Sequence, residues 1–165
     1  MSRSLLDLFL DCPVVTRMAR RLHRALSLRM ARWHYVHEDE SRLHLGRGTS
    51  TMNTLFNTSS GHIYVGDYTI FGHNCLVLTG RHEFVAGRRK KLVSGGPEAP
   101  PEGYDIRIGS GCWIASGAII CGGVTIGDNA IVAAGAVVTR DIPAGMFAAG
   151  VPARALRSHP GQRSG

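Results

Sequence analysis

Long apolar runs are missing from this 165-residue chain. The early cluster of Leu5, Leu6, Leu8, Phe9 and Leu10 is interrupted by Asp7 and bounded by Asp11, too short and too charged for a spanning helix or a signal-peptide core. The compartment expected is therefore the cytoplasm. Cysteine is scarce as well: Cys12, Cys75, Cys112 and Cys121 show no CxxC spacing, which argues against a disulfide scaffold or zinc knuckle and for small reduced thiols. Charged residues make up only 19% and aromatics 7%, beside 44% hydrophobic residues, a balance that excludes intrinsic disorder and suits one globular domain. Acidic residues are outnumbered, 12 against 19 Lys and Arg, but the excess is local. Residues 1–34 hold seven Arg and two acids, whereas residues 35–165 hold twelve basic and ten acidic side chains. Basicity confined to one end is not a nucleic-acid surface, and no nucleic-acid partner is expected.

Glycine, by contrast, is abundant at 21 residues without collagen's every-third spacing, which directs attention to longer periods. The period is six. From Val65 the chain divides into VGDYTI, FGHNCL and VLTGRH, then after a gap IGSGCW, IASGAI, ICGGVT, IGDNAI, VAAGAV and VTRDIP. The leading positions Val65, Phe71, Val77, Ile108, Ile114, Ile120, Ile126, Val132 and Val138 are all aliphatic or Phe, a coincidence of about 10⁻⁵ by chance. The second and fifth positions are mostly Gly, Ala, Cys or Thr. Six is three times the strand period, so one bulky residue per hexad points inward at a repeated place, and small residues leave room at tight corners. The architecture expected is all-β: a parallel β-helix with three hexads per coil. A weaker coil starts at Leu45 (LGRGTS, TMNTLF), and residues 57–64 carry two extra residues before the frame resumes.

Three further segments complete the layout. In residues 1–40 the apolar positions Val15, Met18, Leu22, Leu26, Met30 and Trp33 recur every three or four residues, with Arg17, Arg20, Arg21, Arg24 and Arg32 mostly off the stripe, the pattern of an amphipathic helix. Pro13 suits its first turn and Asp11 its start. This helix is expected to cap an end of the β-helix, with peripheral membrane contact through its basic face as the alternative. Residues 41–157 form the β-helix, with residues 83–107 as one long projecting loop that carries the basic cluster Arg88, Arg89, Lys90 and Lys91. Residues 158–165 are a short polar tail, expected to be flexible.

This pattern resembles the hexapeptide-repeat acyltransferases, whose fold is a left-handed parallel β-helix with 18 residues per coil. Residues 108–157, from IGSGCWIASGAII to GVPARALR, match the family pattern almost throughout. The stretch LTGRHEF is similar to the catalytic segment of the maltose, galactoside and nodulation-factor O-acetyltransferase branch. That resemblance implies His82 as general base toward an acceptor hydroxyl, a role to which imidazole is suited near neutral pH. It implies acetyl-CoA as co-substrate, held by Trp113, Ser116, Ala134, Thr139, Arg140, Arg154 and Arg157. Ser116 would serve the oxyanion and the three arginines the nucleotide phosphates. Asn57, with Asn53 as its neighbour, is the candidate for acceptor contact, and Arg88 and Arg89 are candidates for an anionic part of the substrate. The implied acceptor is a sugar, oligosaccharide, or glycolipid or polysaccharide precursor, and the implied assembly a homotrimer with sites between subunits. No metal is expected. Two alternatives are a non-catalytic β-helix scaffold and a gamma-type carbonic-anhydrase-like enzyme using His62, His73 and His82, a set that lacks the close His pair of that class.

Overall fold

The computed structural model describes residues 12–30, 33–97 and 99–158. Asp11, the early leucines and the tail from residue 159 lie outside the described residues. The chain opens with α1 (Pro13–Met30) and continues through β1 (His34–His37), β2 (Leu43–Leu45), β3 (Thr54–Asn57), β4 (Ile63–Val65), β5 (Ile70–Phe71) and β6 (Leu76–Leu78). The projecting loop holds a hairpin, β7 (Phe84–Val85) and β8 (Arg88–Arg89), and the short α2 (Lys90–Ser94). Then follow β9 (Ile106–Ile108), β10 (Trp113–Ile114), β11 (Ile119–Cys121), β12 (Thr125–Ile126), β13 (Ile131–Val132), β14 (Val137–Val138), β15 (Met146–Gly150) and β16 (Ala153–Ser158).

These strands fall into three parallel faces that the chain visits in rotation. The first face is β1-β3-β6-β11-β14, the second β2-β4-β9-β12, and the third β5-β10-β13-β15. Single parallel bridges, Ser50 to Ile70 and Ile126 to Ile142, carry the rotation into the end coils. Strands stacked in register put like on like: Val77 lies beside Ile120 and Ile120 beside Val138, and Ile114 lies between Phe71 and Val132. All nine leading positions are buried, none more than 4% exposed. Cys75 and Cys112 fill small fifth positions inside the prism. The expected parallel β-helix is the observed fold.

The second-position glycines have a specific cause. A Cβ on Gly46, Gly66 or Gly109 would stand 2.5–2.6 Å from the backbone N of Asp67, Ser110 or Asp128 in the next coil. Only glycine permits that approach at the corner. The carboxylates there turn the approach into a ladder: Asp67 accepts the Arg47 N–H, Asp105 that of His62, Asp128 that of Ser110 and Asp141 that of Thr125, each at 2.7–2.8 Å.

Four details depart from the sequence reading. The first face begins at His34, paired with Thr54, so the β-helix starts before residue 41. In the first coil Phe56, not Asn57, takes the inward place opposite Val77, because the turn through Met52 and Asn53, both left-handed, uses one residue fewer. α1 ends at Met30, and of its expected stripe Val15 is half-buried while Met18, Leu22 and Leu26 are 49–67% exposed, as is the neighbouring Val14, so these exposed residues do not cover the end of the prism. Finally, the segment up to Ser158 pairs antiparallel with β15.

Candidate active site

His82 stands where the projecting loop leaves the scaffold, three residues after Thr79. Thr79 is fully buried and ties this corner to the previous coil: its N–H and Oγ1 both donate to the Asn57 carbonyl at 3.0 and 2.8 Å, and its Oγ1 accepts the Ser60 N–H at 3.1 Å. The chain then turns outward through Gly80, Arg81 and His82, all exposed. A rigid anchor followed by an exposed imidazole is what a positioned base requires.

The imidazole borders a cavity of about 470 Å³. The cavity is also lined by Asn57, Ser59 and Gly80 of the scaffold, by His37 and Glu38 at the end of β1, and by Pro97, Ala99 and Pro101 of the returning loop. Asn57 Oδ1 accepts the Ser59 N–H at 2.9 Å, which leaves the Nδ2 amide as the donor this side chain offers a ligand. Arg42 Nη1 donates to the Pro101 carbonyl at 2.7 Å, pinning the returning loop to the first coil, and the Arg81 guanidinium lies 5.5 Å from the centre of the Tyr104 ring. Glu83, beside His82 in sequence, gives its carboxylate to Lys90 Nζ at 2.7 Å.

His37, Glu38 and Arg42 escaped the sequence reading. His37 and Glu38 contact each other at 3.5 Å, and Glu38 has φ of 80°, so the corner is set by a non-glycine residue with no repeat signature. HYVH reads polar-apolar-apolar-polar, without the alternation that marks a strand, although its burial alternates in the structure. Arg88 and Arg89 lie on β8, exposed, paired with Val85 and Phe84 in the antiparallel hairpin, and are not among the residues that line this cavity.

The residues implied for coenzyme A divide between two edges of the prism. Thr139 and Arg140 follow β14 and, by the Val77–Ile120–Val138 register, occupy the edge of Gly80 and His82 two coils along, about 10 Å at the usual strand spacing. Trp113 is half exposed on the third face. Ser116 and Ala134 stack at the edge between the third and first faces, where Ser116 Oγ accepts the His73 N–H at 3.1 Å. Arg154 lies on β16 opposite Ala149, and the backbone of Arg157 pairs with Phe147. One copy therefore brings His82 and Asn57 together and leaves Ser116 and Ala134 on another edge.

The three-histidine alternative loses its donor set in the same way. His73 lies at the Ser116 edge, and His62 is hydrogen-bonded to His44 at 3.1 Å, while His82 borders the cavity. Among the described residues no three His, Cys, Asp or Glu side chains stand close enough to hold a metal ion. Nucleophilic cysteine is also disfavoured, since burial pushes the Cys75, Cys112 and Cys121 thiols up. Cys12 is the reverse case, held below the ordinary thiol range by the Val15 and Val14 N–H groups at the start of α1. Ellman's reagent is thus expected to titrate Cys12 fastest in the native protein and Cys75 and Cys112 only after denaturant is added.

Residues 105–140 match the family model for the bacterial transferase hexapeptide (six repeats). The galactoside O-acetyltransferase of Escherichia coli (strain K12) is 37% identical over 117 residues, 71% of this chain and 54% of that protein. Among solved structures, a galactoside acetyltransferase in complex with coenzyme A superposes with a TM-score of 0.62 at 30% identity, over 78% of this chain and 62% of the other. The chain belongs to the hexapeptide-repeat transferase family. A maltose O-acetyltransferase from Clostridium difficile 630 shares the fold at a TM-score of 0.57 and 29% identity, over 76% and 66% of the two chains, and the β-helix of this hexapeptide-repeat protein is left-handed like those of its family. The chain spans little more than half the length of the galactoside O-acetyltransferases it matches.

Proposed function

We propose that this chain is an acetyl-CoA-dependent O-acetyltransferase acting on a hydroxyl of a carbohydrate, either an oligosaccharide or a glycolipid or polysaccharide precursor. The observation that carries the reading is His82 beside the Asn57 amide in a 470 Å³ cavity at the root of the loop. His82 takes the proton of the acceptor hydroxyl as its oxygen attacks the thioester carbon. The tetrahedral oxyanion collapses, the carbon–sulfur bond breaks, and coenzyme A leaves as the thiol with the proton returned from the imidazolium. Thr139 and Arg140, on the same edge, and Arg154 and Arg157 at the C-terminal end, hold the nucleotide portion.

A homotrimer completes the site. Ser116 and Ala134 stand on a different edge from His82, so a second copy must supply the oxyanion donor and the pantetheine-binding edge if all these residues act together. Cyclic symmetry repeats that junction three times. The compartment assigned is the cytoplasm, which keeps thiols such as the four free cysteines reduced.

The test is turnover of acetyl-CoA with a panel of sugars, oligosaccharides and glycolipids, read as loss of thioester absorbance because Cys12 would itself consume a thiol reagent. Acceptor-dependent turnover is expected; failure to bind coenzyme A would return the chain to the scaffold reading. A second expectation concerns Gly80, where a Cβ would stand 3.1 Å from both Asn57 Nδ2 and Oδ1. Gly80→Ala displaces that amide and is expected to raise the acceptor KM about three- to tenfold, the loss of roughly one hydrogen bond, while leaving the coenzyme A Kd unchanged.

A further inference from the structure

α1 has an apolar face that the prism does not cover. Val14, Met18, Leu22 and Leu26 recur every fourth residue and are 65%, 67%, 62% and 49% exposed. Arg17, Arg20 and Arg21 are exposed too, the helix sequence adds Arg24 and Arg29, and none of its 18 residues is acidic. At 3.6 residues per turn the four exposed apolar side chains span about 120° of arc, and Arg17, Arg20 and Arg21 fall within the roughly 100° that flanks it, Arg21 next to Val14, while the position of Arg29 falls inside the apolar arc. Among the described residues no helix is long and apolar enough to cross a membrane.

We infer that α1 lies in the plane of an anionic lipid surface, with Val14, Met18, Leu22 and Leu26 in the acyl boundary and Arg17, Arg20 and Arg21, at its flank, reaching the lipid phosphates. Two features favour this occupant. Packing the stripe against a second copy would bring two acid-free arginine helices together, whereas anionic headgroups neutralise them. A nucleic-acid backbone would satisfy the arginines and leave the apolar stripe in water. The inference does not depend on the transferase reading, because neither α1 nor its arginines belong to the cavity at His82.

The experiment is flotation of the full chain with vesicles of phosphatidylcholine alone and of phosphatidylcholine with 30% phosphatidylglycerol, at low and high salt. Binding is expected to anionic vesicles alone and to fall with salt. Met18→Asp with Leu22→Asp is expected to reduce it at least tenfold at every salt concentration, with the circular dichroism spectrum and coenzyme A binding unchanged. Arg17→Glu with Arg20→Glu is expected to remove the salt-dependent part. No wild-type binding to anionic vesicles overturns the inference, as does undiminished binding by the aspartate pair. If the aspartate pair changes the oligomeric mass instead, the stripe is covered by a second copy; if duplex DNA binds wild type and the aspartate pair alike and vesicles do not bind, the helix is a nucleic-acid arm. Coenzyme A binding, read in the same samples, separates either failure from failure of the transferase reading.

Discussion

His82→Ala is expected to lower acceptor-dependent acetyl transfer about 10²- to 10⁴-fold, the usual contribution of a positioned general base, while the coenzyme A Kd and the melting temperature stay as in wild type. The separation follows from geometry. His82 is exposed and lies beyond Thr79, the buried residue that ties the corner to the preceding coil through hydrogen bonds of 2.8–3.1 Å, so removing the ring leaves the anchor intact. The informative comparison is His37→Ala, because His37 is the other imidazole lining the cavity. Its loss is expected to cost less than about tenfold, as for a wall residue. Equal losses at both positions would mean that the two rings act as a unit, and retention of more than a tenth of the rate by His82→Ala would move the base to His37.

Ile120→Ala is expected to destabilise the protein by about 2–5 kcal/mol, as Ile-to-Ala truncations in closed cores do, and to lower Tm by roughly 5–15 °C for a chain of this size. Ile120 is wholly buried and lies between Val77 and Val138 in the stack. Because neighbouring coils are held by backbone ladders on both sides, the cavity left behind cannot collapse without breaking register. The adjacent Ile119, half-buried on the outer side of the same strand, is the control. Ile119→Ala is expected to shift Tm by less than half as much. Circular dichroism melts at one fixed protein concentration measure both, since association would otherwise move the transition.

The repeat was legible because a narrow prism admits bulk at one place per hexad. Val65 to Val138 announce themselves by size alone, and Cys75 and Cys112 need no redox explanation once they are seen as small fifth-position residues. The first coil was less legible for a physical reason. At Thr51 to Phe56 the corner is made by two successive left-handed non-glycine residues, which shortens the spacing to five and hides Phe56 from a period of six. β1 carries no glycine corner at all, so His37 and Glu38 read as linker. Arg42 could not be found by any spacing rule, because its partner Pro101 is 59 residues away and joined to it only by the path of the loop. For α1 the periodicity identified the apolar stripe, but periodicity states which residues share a face and not what that face meets. The cap expected from it is instead an exposed surface.

The glycine and aspartate corners also make the molecule a ruler. Each coil is locked to the next by a backbone approach that permits no intermediate offset, so positions along an edge are available only in whole steps of about 4.8 Å. The separation between the His82 corner and the Arg140 corner is two such steps. In this scaffold the gap between the proposed acceptor site and the proposed nucleotide site cannot be tuned by drift of a loop or tilt of a helix. It changes only by gaining or losing a complete turn of chain.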